Sequence, residues 1–145
     1  MPKTVLVVDD DEHLREILSA MLRFSGYEIS EAATGTEAVN KAISEKPDLI
    51  LLDIELPDIK GPEVARAIRN NPASAHIPII GCSAFFGWEY RKEALEAGMD
   101  DYLVKPISLE VIKTKIEEFI LTEEITEMSK IENNAVRSIS RNCPA

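Results

Sequence analysis

The stretch Thr-Val-Leu-Val-Val-Asp-Asp-Asp-Glu, residues 4–12, decides the fold. Its apolar half, Val5 to Val8, is nearly continuous, which is typical of a parallel strand covered on both faces. Beyond the acidic half, apolar residues recur at helical spacing: Leu14, Ile17, Leu18, Met21 and Leu22. Asp11 is placed to cap this helix and Gly26 to end it. The stretch therefore predicts a buried strand that leads through acidic residues into an amphipathic helix.

The same alternation of strand and helix repeats along the chain. Apolar runs predict five strands, at Thr4–Val8, Glu28–Glu31, Asp48–Leu52, Ile77–Cys82 and Asp101–Val104. Weaker helical patterns cover Thr36–Ser44, Pro62–Arg69, Trp88–Ala97 and Leu109–Leu121. Such alternation favours an open parallel sheet with helices on both faces. We expect an α/β fold, a flavodoxin-like (βα)5 doubly wound parallel sheet with strand order 2-1-3-4-5, in which strand two lies at an edge.

The length of the chain favours one domain with a short tail. The chain has 145 residues and 45% hydrophobic content, enough for a single core. We assign residues 1–121 to the domain and 122–145 to a tail that begins as a helical extension and ends disordered. Ile125, Met128 and Ile131 lie at helical spacing within it. The alternative is an amphipathic segment that docks on a partner or on a second copy of the chain.

Composition limits the partners and the location. The net charge of −10 disfavours direct contact with nucleic acid or anionic lipid. The longest apolar runs, at 5–8 and 49–52, are far shorter than the roughly 20 residues that span a bilayer. Cys82 and Cys143 match neither a disulfide framework nor a metal motif. We expect a cytoplasmic protein that contacts neither nucleic acid nor membrane.

Polar residues follow four of the predicted strands: Asp9 and Asp10, Asp53, Ser83 and Lys105. Each alone has an ordinary explanation as a helix cap, a turn residue or a solvated side chain. Together they converge, because ligands of such sheets bind beyond the carboxyl ends of the strands. Two carboxylates ~4 Å apart repel by on the order of 4 kcal/mol at an effective dielectric near 20, so a cation or a proton must compensate. All-oxygen ligands predict Mg²⁺, with Mn²⁺ as a second possibility and zinc disfavoured.

Four ordered motifs carry a resemblance to a known family. They are Val-Val-Asp-Asp-Asp at 7–11, Leu-Leu-Asp-Ile-Glu-Leu-Pro-Asp-Ile-Lys-Gly at 51–61, Ser83-Ala84, and Tyr-Leu-Val-Lys-Pro at 102–106. From about residue 3 to residue 121 the chain resembles the chemotaxis-regulator-like receiver domains of response regulators in two-component signalling. The resemblance implies a switch that works by docking on other proteins, including a downstream target, and a homodimer is one possible form.

The resemblance also implies roles for individual residues. Asp53 is the expected phosphoacceptor, and its donor is a histidine kinase or a phosphotransfer protein. Asp10 and Asp53 are expected to bind magnesium directly, Asp9 through a water molecule, and Glu55 through its backbone carbonyl. The residues expected to bind the phosphoryl group or to respond to it are Ser83, Ala84, Tyr102 and Lys105. The Lys105–Pro106 peptide bond is expected to be cis.

Some positions depart from the commonest family pattern. Ser83 stands where Thr is more usual, and Gly81 and Cys82 are smaller than the usual strand residues. Phe85 and Glu55 flank the expected path of hydrolytic water, so they are expected to influence the lifetime of the phosphoryl group.

Four of the eight aromatic residues lie between residues 85 and 90. Phe85 and Phe86 fit either core and loop packing or an exposed role. Trp88 and Tyr90 open the predicted fourth helix on a face that the family uses for partners, so we expect them to belong to a partner surface.

Two other classes of protein share parts of this pattern. Magnesium-dependent aspartyl-phosphate phosphohydrolases place a second Asp two residues after the nucleophile, where this chain has Glu55. Flavin-binding proteins of the flavodoxin type carry a phosphate loop rich in Ser, Thr and Gly after the first strand, where this chain is acidic. A signalling module that is not an enzyme in its own right fits best.

Overall fold

The computed structural model describes residues 2–142, with side chains described for residues 2–121 and 125–135. Strands and helices alternate along these residues. The strands are β1 Thr4–Val8, β2 Glu28–Ala32, β3 Leu49–Asp53, β4 Ile79–Ser83 and β5 Asp101–Val104. The helices are α1 Glu12–Phe24, α2 Gly35–Glu45, α3 Gly61–Asn70, α4 Trp88–Glu96 and α5 Leu109–Asn142.

The five strands form one parallel sheet in the order β2-β1-β3-β4-β5. This confirms the predicted order and the position of β2 at an edge. Val8 of β1 pairs with Leu52 of β3, and Asp53 pairs with Cys82 of β4. The register therefore brings the carboxyl ends of β1, β3 and β4 to the same level.

The sheet separates two hydrophobic cores. Alternate residues of β1 and β3, such as Leu6 and Leu52, face a core completed by α2, α3 and α4. The intervening residues, such as Val7 and Leu51, face a second core completed by α1 and α5. Since side chains alternate across a strand, a continuous apolar run supplies both cores at once. The doubly wound arrangement is confirmed.

Capping explains where the helix next to the first strand begins and ends. The carboxylate of Asp11 accepts hydrogen bonds from the backbone N–H groups of His13 and Leu14, at 3.0 and 3.2 Å. Gly26 follows the helix with φ of +99°, a conformation that suits glycine. Both predicted ends of α1 are confirmed.

Strand β4 is shorter than predicted. It begins at Ile79 rather than Ile77, because the N–H of Ile77 donates to the carbonyl of Ser74 in a turn and Pro78 has no N–H to give to a ladder.

Helix α5 is much longer than the domain needs. It continues past Leu121 to Asn142, so the helical extension predicted for the first part of the tail is present. The extension has a simple cause, since no Gly or Pro lies between Pro106 and Pro144 to end the helix. The predicted disorder at residues 143–145 lies outside the described residues. Among the residues that the structure describes, no helix is both long and apolar enough to cross a bilayer.

Candidate functional site

Three carboxylates meet at the carboxyl ends of β1 and β3. Asp9 and Asp53 are buried and Asp10 is exposed, and each offers an oxygen that lies within 4.8 Å of the others. The sequence predicted this convergence from the order of the strands. Oxygen ligands at this separation, open to water on the side of Asp10, fit the preferences of Mg²⁺.

Backbone hydrogen bonds fix the two buried carboxylates. Oδ1 of Asp9 accepts from the N–H of Asp11 at 2.9 Å, and Oδ1 of Asp53 accepts from the N–H of Glu55 at 3.2 Å. The guanidinium of Arg15 donates to the carbonyl of Asp9 at 2.8 Å. The carboxylates are therefore held in place before any ligand binds.

Lys105 extends its side chain into the cluster from the end of β5. Its Nζ lies 3.0 Å from Oδ2 of Asp9 and 3.6 Å from Oδ2 of Asp53. Its backbone N–H donates to the carbonyl of Ser83 at 2.7 Å, which joins the ends of β4 and β5. The Lys105–Pro106 peptide bond is cis, as the resemblance implies.

The cluster shifts the titration of its members. Burial raises the pKa of Asp53 to about 6; the charge of Lys105 opposes this rise, and the charges of Asp9 and Asp10 add to it. Burial alone would lower the pKa of Lys105, but the hydrogen bond to Asp9 and the charge of Asp53 outweigh it and raise that pKa. Lys105 thus stays positive, while Asp53 carries a charge that its surroundings only partly balance.

The thiol of Cys82 lies beside this cluster, since Cys82 of β4 pairs with Asp53 of the neighbouring strand β3. Burial raises its pKa to about 12, so it stays protonated and is unsuited to bind a metal. The small residues of β4 have a packing role instead. A Cβ at Gly81 would lie 2.6 Å from Sδ of Met99, so a side chain there would require Met99 to move.

Ser83 and Tyr102 are both connected to the loop after β4. Oγ of the buried Ser83 accepts from the N–H of Phe85 at 3.1 Å. The hydroxyl of Tyr102 donates to the carbonyl of Phe85 at 2.5 Å, so its ring is held inward. Ala84 follows Ser83 and lines a cleft beside Asp53. The sequence predicted the two side chains but not that Phe85 connects them, because backbone acceptors leave no mark in a sequence.

The aromatic residues after Ser83 are exposed. Phe85 stacks on Tyr90 with ring centroids 5.4 Å apart, and Lys92 lies over the ring of Trp88. Exposure excludes a core role for Phe86, which is 79% exposed. The predicted position of Trp88 and Tyr90 on the surface at the start of α4 agrees with the structure, while their role in binding stays a prediction.

Two residues near the site were missed in the sequence. Arg15 supports Asp9 as described above, and it also pairs with Glu31. Asp58, to which the sequence assigned no role, accepts hydrogen bonds from the N–H groups of Gly35 and Thr36. It therefore ties the loop after β3, residues 54–60, to the start of α2. In the sequence, only the acidic residues of this loop could have suggested a contact with the start of a helix.

The fold and the site define a class: α/β proteins with an acidic pocket and a lysine at the carboxyl end of a parallel sheet. The family model described as the response regulator receiver domain matches residues 5–117. The chain belongs to this family.

Two relatives illustrate the match in sequence. The chain is 36% identical over 109 residues to the polar-differentiation response regulator DivK of Brucella anthropi, covering 75% of this chain and 89% of DivK. It is 39% identical over 116 residues to the response regulator MprA of Mycolicibacterium vanbaalenii, covering 80% of this chain and 49% of MprA. The chain thus spans about half the length of several relatives that it matches, including 53% of TcrX of Mycobacterium tuberculosis.

Solved structures agree with the family assignment. The chemotaxis response regulator CheY4 of Vibrio cholerae has a TM-score of 0.78 at 30% identity, covering 82% of this chain and 99% of that one. The receiver domain of the sensor histidine kinase PA1611 of Pseudomonas aeruginosa has a TM-score of 0.77 at 32% identity, covering 83% and 98%. That receiver domain was crystallised with a magnesium ion coordinated in its active site cleft.

Proposed function

We propose that the chain is a phosphorylation-dependent switch in which Asp53 accepts a phosphoryl group from a histidine kinase or a phosphotransfer protein. The observation that carries the proposal is the position of Asp53, buried among two further carboxylates with Nζ of Lys105 3.6 Å away. The carboxylates around Asp53 carry more negative charge than Lys105 can balance. A phosphoryl group, which is itself anionic, can therefore be transferred to Asp53 only when a further cation such as Mg²⁺ binds at the site.

The donors at the site fit a magnesium ion. Asp9, Asp10, Asp53 and the backbone carbonyl of Glu55 would hold it, with Mn²⁺ as a substitute. When bound, the ion supplies positive charge that neutralises the carboxylates and the oxygens of the incoming phosphoryl group. The magnesium in the cleft of the PA1611 receiver domain supports this proposal.

The residues of the chain perform the transfer by position and charge. An oxygen of Asp53 attacks the phosphorus of a phosphohistidine in line with the departing imidazole nitrogen, so that one O–P bond forms and one N–P bond breaks. The imidazole keeps the electron pair and takes a proton. Lys105, held at 3.0 Å from Asp9, then faces the phosphoryl oxygens and balances their charge.

The loop after β4 converts this event into a change of surface. Among the described hydrogen bonds, Oγ of Ser83 accepts from Phe85, which leaves its own proton available to a phosphoryl oxygen. A shift of Ser83 toward the phosphoryl group would release the N–H of Phe85, whose carbonyl is bound by Tyr102. The contact between Ser83 and the phosphoryl group is made only in the shifted conformation of the loop, so it favours that conformation over the original one. The exposed Trp88 and Tyr90 follow in the chain and would present the change to a downstream protein.

An apolar cleft beside Asp53 offers a place for the phosphodonor. It has a volume of about 450 Å³ and is bordered by α1 on one side and by Pro106, Ile107 and Leu109 on the other. Leu14 and Ile17 of α1 are 46% and 57% exposed on its rim. A donor protein whose histidine enters the cleft would cover these residues.

A location in the cytoplasm remains a prediction from composition.

The phosphohydrolase alternative is less well supported. Glu55, at the position of the second acid in those enzymes, has an exposed side chain, and it is its backbone N–H that contacts Asp53. A signalling module with slow loss of its own phosphoryl group fits this arrangement better.

The test is incubation with acetyl phosphate and Mg²⁺ followed by intact mass measurement. We expect the wild type to gain one phosphoryl group, and no gain when Mg²⁺ is removed or in Asp53→Asn. Ser83→Ala serves as a control, since it retains the nucleophile and should still be modified. A gain that persists in Asp53→Asn would reject the assignment of the phosphoacceptor.

A further inference from the structure

The peptide group between Asp9 and Asp10 joins two of the three carboxylates at the site. Its oxygen, the carbonyl of Asp9, accepts a hydrogen bond from Nη1 of Arg15 at 2.8 Å. Because a peptide group is planar, a hydrogen bond to its oxygen restricts the orientation of the whole group. The contact with Arg15 therefore sets the direction in which the chain continues from one aspartate to the next.

The peptide groups on either side have partners of their own. The N–H of Asp9 donates to the carbonyl of Ala32 in β2 at 3.1 Å, and the N–H of Asp11 donates to Oδ1 of Asp9 at 2.9 Å. Arg15, whose side chain is 17% exposed, supplies the contact to the group between them. All three peptide groups from Val8 to Asp11 are therefore anchored, and the middle one is anchored by a side chain of α1.

Glu31 of the edge strand β2 orients the guanidinium of Arg15. Its Oε1 lies 3.3 Å from Nε of Arg15, and its Oε2 lies 3.6 Å from Nη2 of Arg23 at the end of α1. A planar guanidinium can hold Asp9 with one nitrogen and Glu31 with another, whereas the ammonium group of a lysine offers no such fork. One side chain thus ties the candidate metal site to the edge strand.

The role of Arg15 at the site is geometric rather than electrostatic. Its positive charge is paired with Glu31, and the charges that shift the pKa of Asp53 are those of Lys105 and of the two neighbouring aspartates. Mg²⁺ demands a nearly octahedral set of oxygens, so ligands that are already in place bind it more tightly than ligands that must first be ordered. Partners that orient metal ligands in this way typically contribute ~10- to 100-fold in affinity.

We propose that Arg15, oriented by Glu31, is a positioning residue that holds Asp9 and Asp10 in the arrangement that binds Mg²⁺. The inference rests on the metal site of the proposed function, but it does not require that Asp53 accepts a phosphoryl group. It gives the edge strand β2, which carries none of the metal ligands, a part in the affinity for the ion.

Titration of the full chain with Mn²⁺, followed by the paramagnetic resonance of the free ion, tests the proposal directly. Mg²⁺ is then added to displace Mn²⁺, which gives the affinity for Mg²⁺. We expect Arg15→Ala to bind both ions roughly tenfold more weakly than the wild type. Arg23→Ala is the matched control, because it removes the other cation that pairs with Glu31 and leaves the carbonyl of Asp9 bound. Equal affinity in the wild type and Arg15→Ala, or an equal loss in both variants, would overturn the proposal.

Two conservative variants separate geometry from charge. Arg15→Lys keeps the positive charge and the length of the side chain but loses the fork, so we expect it to restore little of the affinity. Glu31→Gln keeps an oxygen that can accept from Arg15 but loses the charge, so we expect a loss of only a few-fold. Full affinity in Arg15→Lys would show that charge alone matters, and it would overturn the positioning role.

The rate of phosphorylation by acetyl phosphate, measured over a range of Mg²⁺ concentrations, excludes a general effect on folding. We expect Arg15→Ala to need more Mg²⁺ for its half-maximal rate and to match the wild type when Mg²⁺ is saturating. A rate that is lowered at every Mg²⁺ concentration would count against the proposal. If the wild type accepts no phosphoryl group, the proposed function fails, while the titrations with Mn²⁺ and Mg²⁺ still decide the role of Arg15.

Discussion

The ammonium group of Lys105 lies between two carboxylates and explains how three neighbouring aspartates can coexist in a folded protein. Its Nζ contacts Asp9 at 3.0 Å and Asp53 at 3.6 Å. One positive charge cannot balance three negative ones, and the pKa of Asp53 rises to about 6, with burial as the main cause. The site thus retains a surplus of negative charge at neutral pH, which a divalent cation would neutralise.

This surplus predicts how pH and Mg²⁺ affect stability. Because the pKa of Asp53 is raised from 3.8 to about 6, the folded protein binds the proton more tightly than the unfolded chain, so stability from this group falls as pH rises from about 4 to 6. Mg²⁺ competes with that proton. We expect Mg²⁺ to raise the melting temperature more at pH 7 than at pH 5, measured by differential scanning calorimetry.

The variant Asp53→Asn provides the control for this prediction. Without metal at pH 7 it should be more stable than the wild type by on the order of 1–2 kcal/mol, after allowance for solvent screening. It should also respond less to Mg²⁺ at that pH. An equal effect of Mg²⁺ on the wild type at both pH values would contradict this role of Asp53.

Phe85 offers a second test at the scale of one residue. Its backbone is held by Ser83 and Tyr102 and its ring stacks on Tyr90, so the side chain has a fixed place at the rim of the site. We expect Phe85→Ala to shorten the half-life of the phosphorylated protein a few-fold, because water reaches the phosphoryl group more easily. Phe86→Ala, which removes the same ring from an exposed neighbour, should leave the half-life unchanged. Equal half-lives in the wild type and Phe85→Ala would remove this role.

At the scale of elements, the loop of residues 54–60 depends on the helix beside it. The side chain of Asp58 accepts from Gly35 and from both the N–H and the hydroxyl of Thr36, and the hydrogen bond from that hydroxyl is the main cause of its lowered pKa. A Cβ at Gly35 would clash with Ile59, so the loop and the start of α2 lie in direct contact. This contact fixes the segment that carries Glu55.

The contact predicts a specific effect of Asp58→Ala. Loss of these hydrogen bonds should lower the stability slightly and should also weaken Mg²⁺ binding a few-fold, because the loop loses its anchor. Thr34→Ala removes the N-cap of the same helix, where Oγ1 of Thr34 accepts from the N–H of Glu37, and leaves the hydrogen bonds of Asp58 in place. We expect similar stability in the two variants but weaker Mg²⁺ binding only in Asp58→Ala, measured by fluorescence titration of Trp88. Equal Mg²⁺ affinity in both would contradict the role of Asp58.

At the scale of the whole molecule, the sheet and the convergence of its strand ends were predictable from the sequence. Continuous apolar runs such as Val5 to Val8 indicate strands that are buried on both faces. Asp9, Asp53 and Lys105 each directly follow such a strand, so their convergence at one edge of the sheet was predictable. Contacts made through the backbone, such as those of Phe85, were not predictable because any residue can supply them. The extension of α5 beyond Leu121 was predictable from the helical spacing of the tail, whereas the residue at which the helix ends was not, because no Gly or Pro marks it.

The central claim is that Asp53 carries the phosphoryl group, and chemical mapping tests it most directly. Borohydride reduces an aspartyl phosphate to homoserine, which marks the modified residue permanently. After treatment with acetyl phosphate, Mg²⁺ and borohydride, we expect peptide mass spectrometry to find homoserine at position 53. Homoserine at position 9 or 10 instead, or its absence from a protein that has gained phosphate, would contradict the assignment.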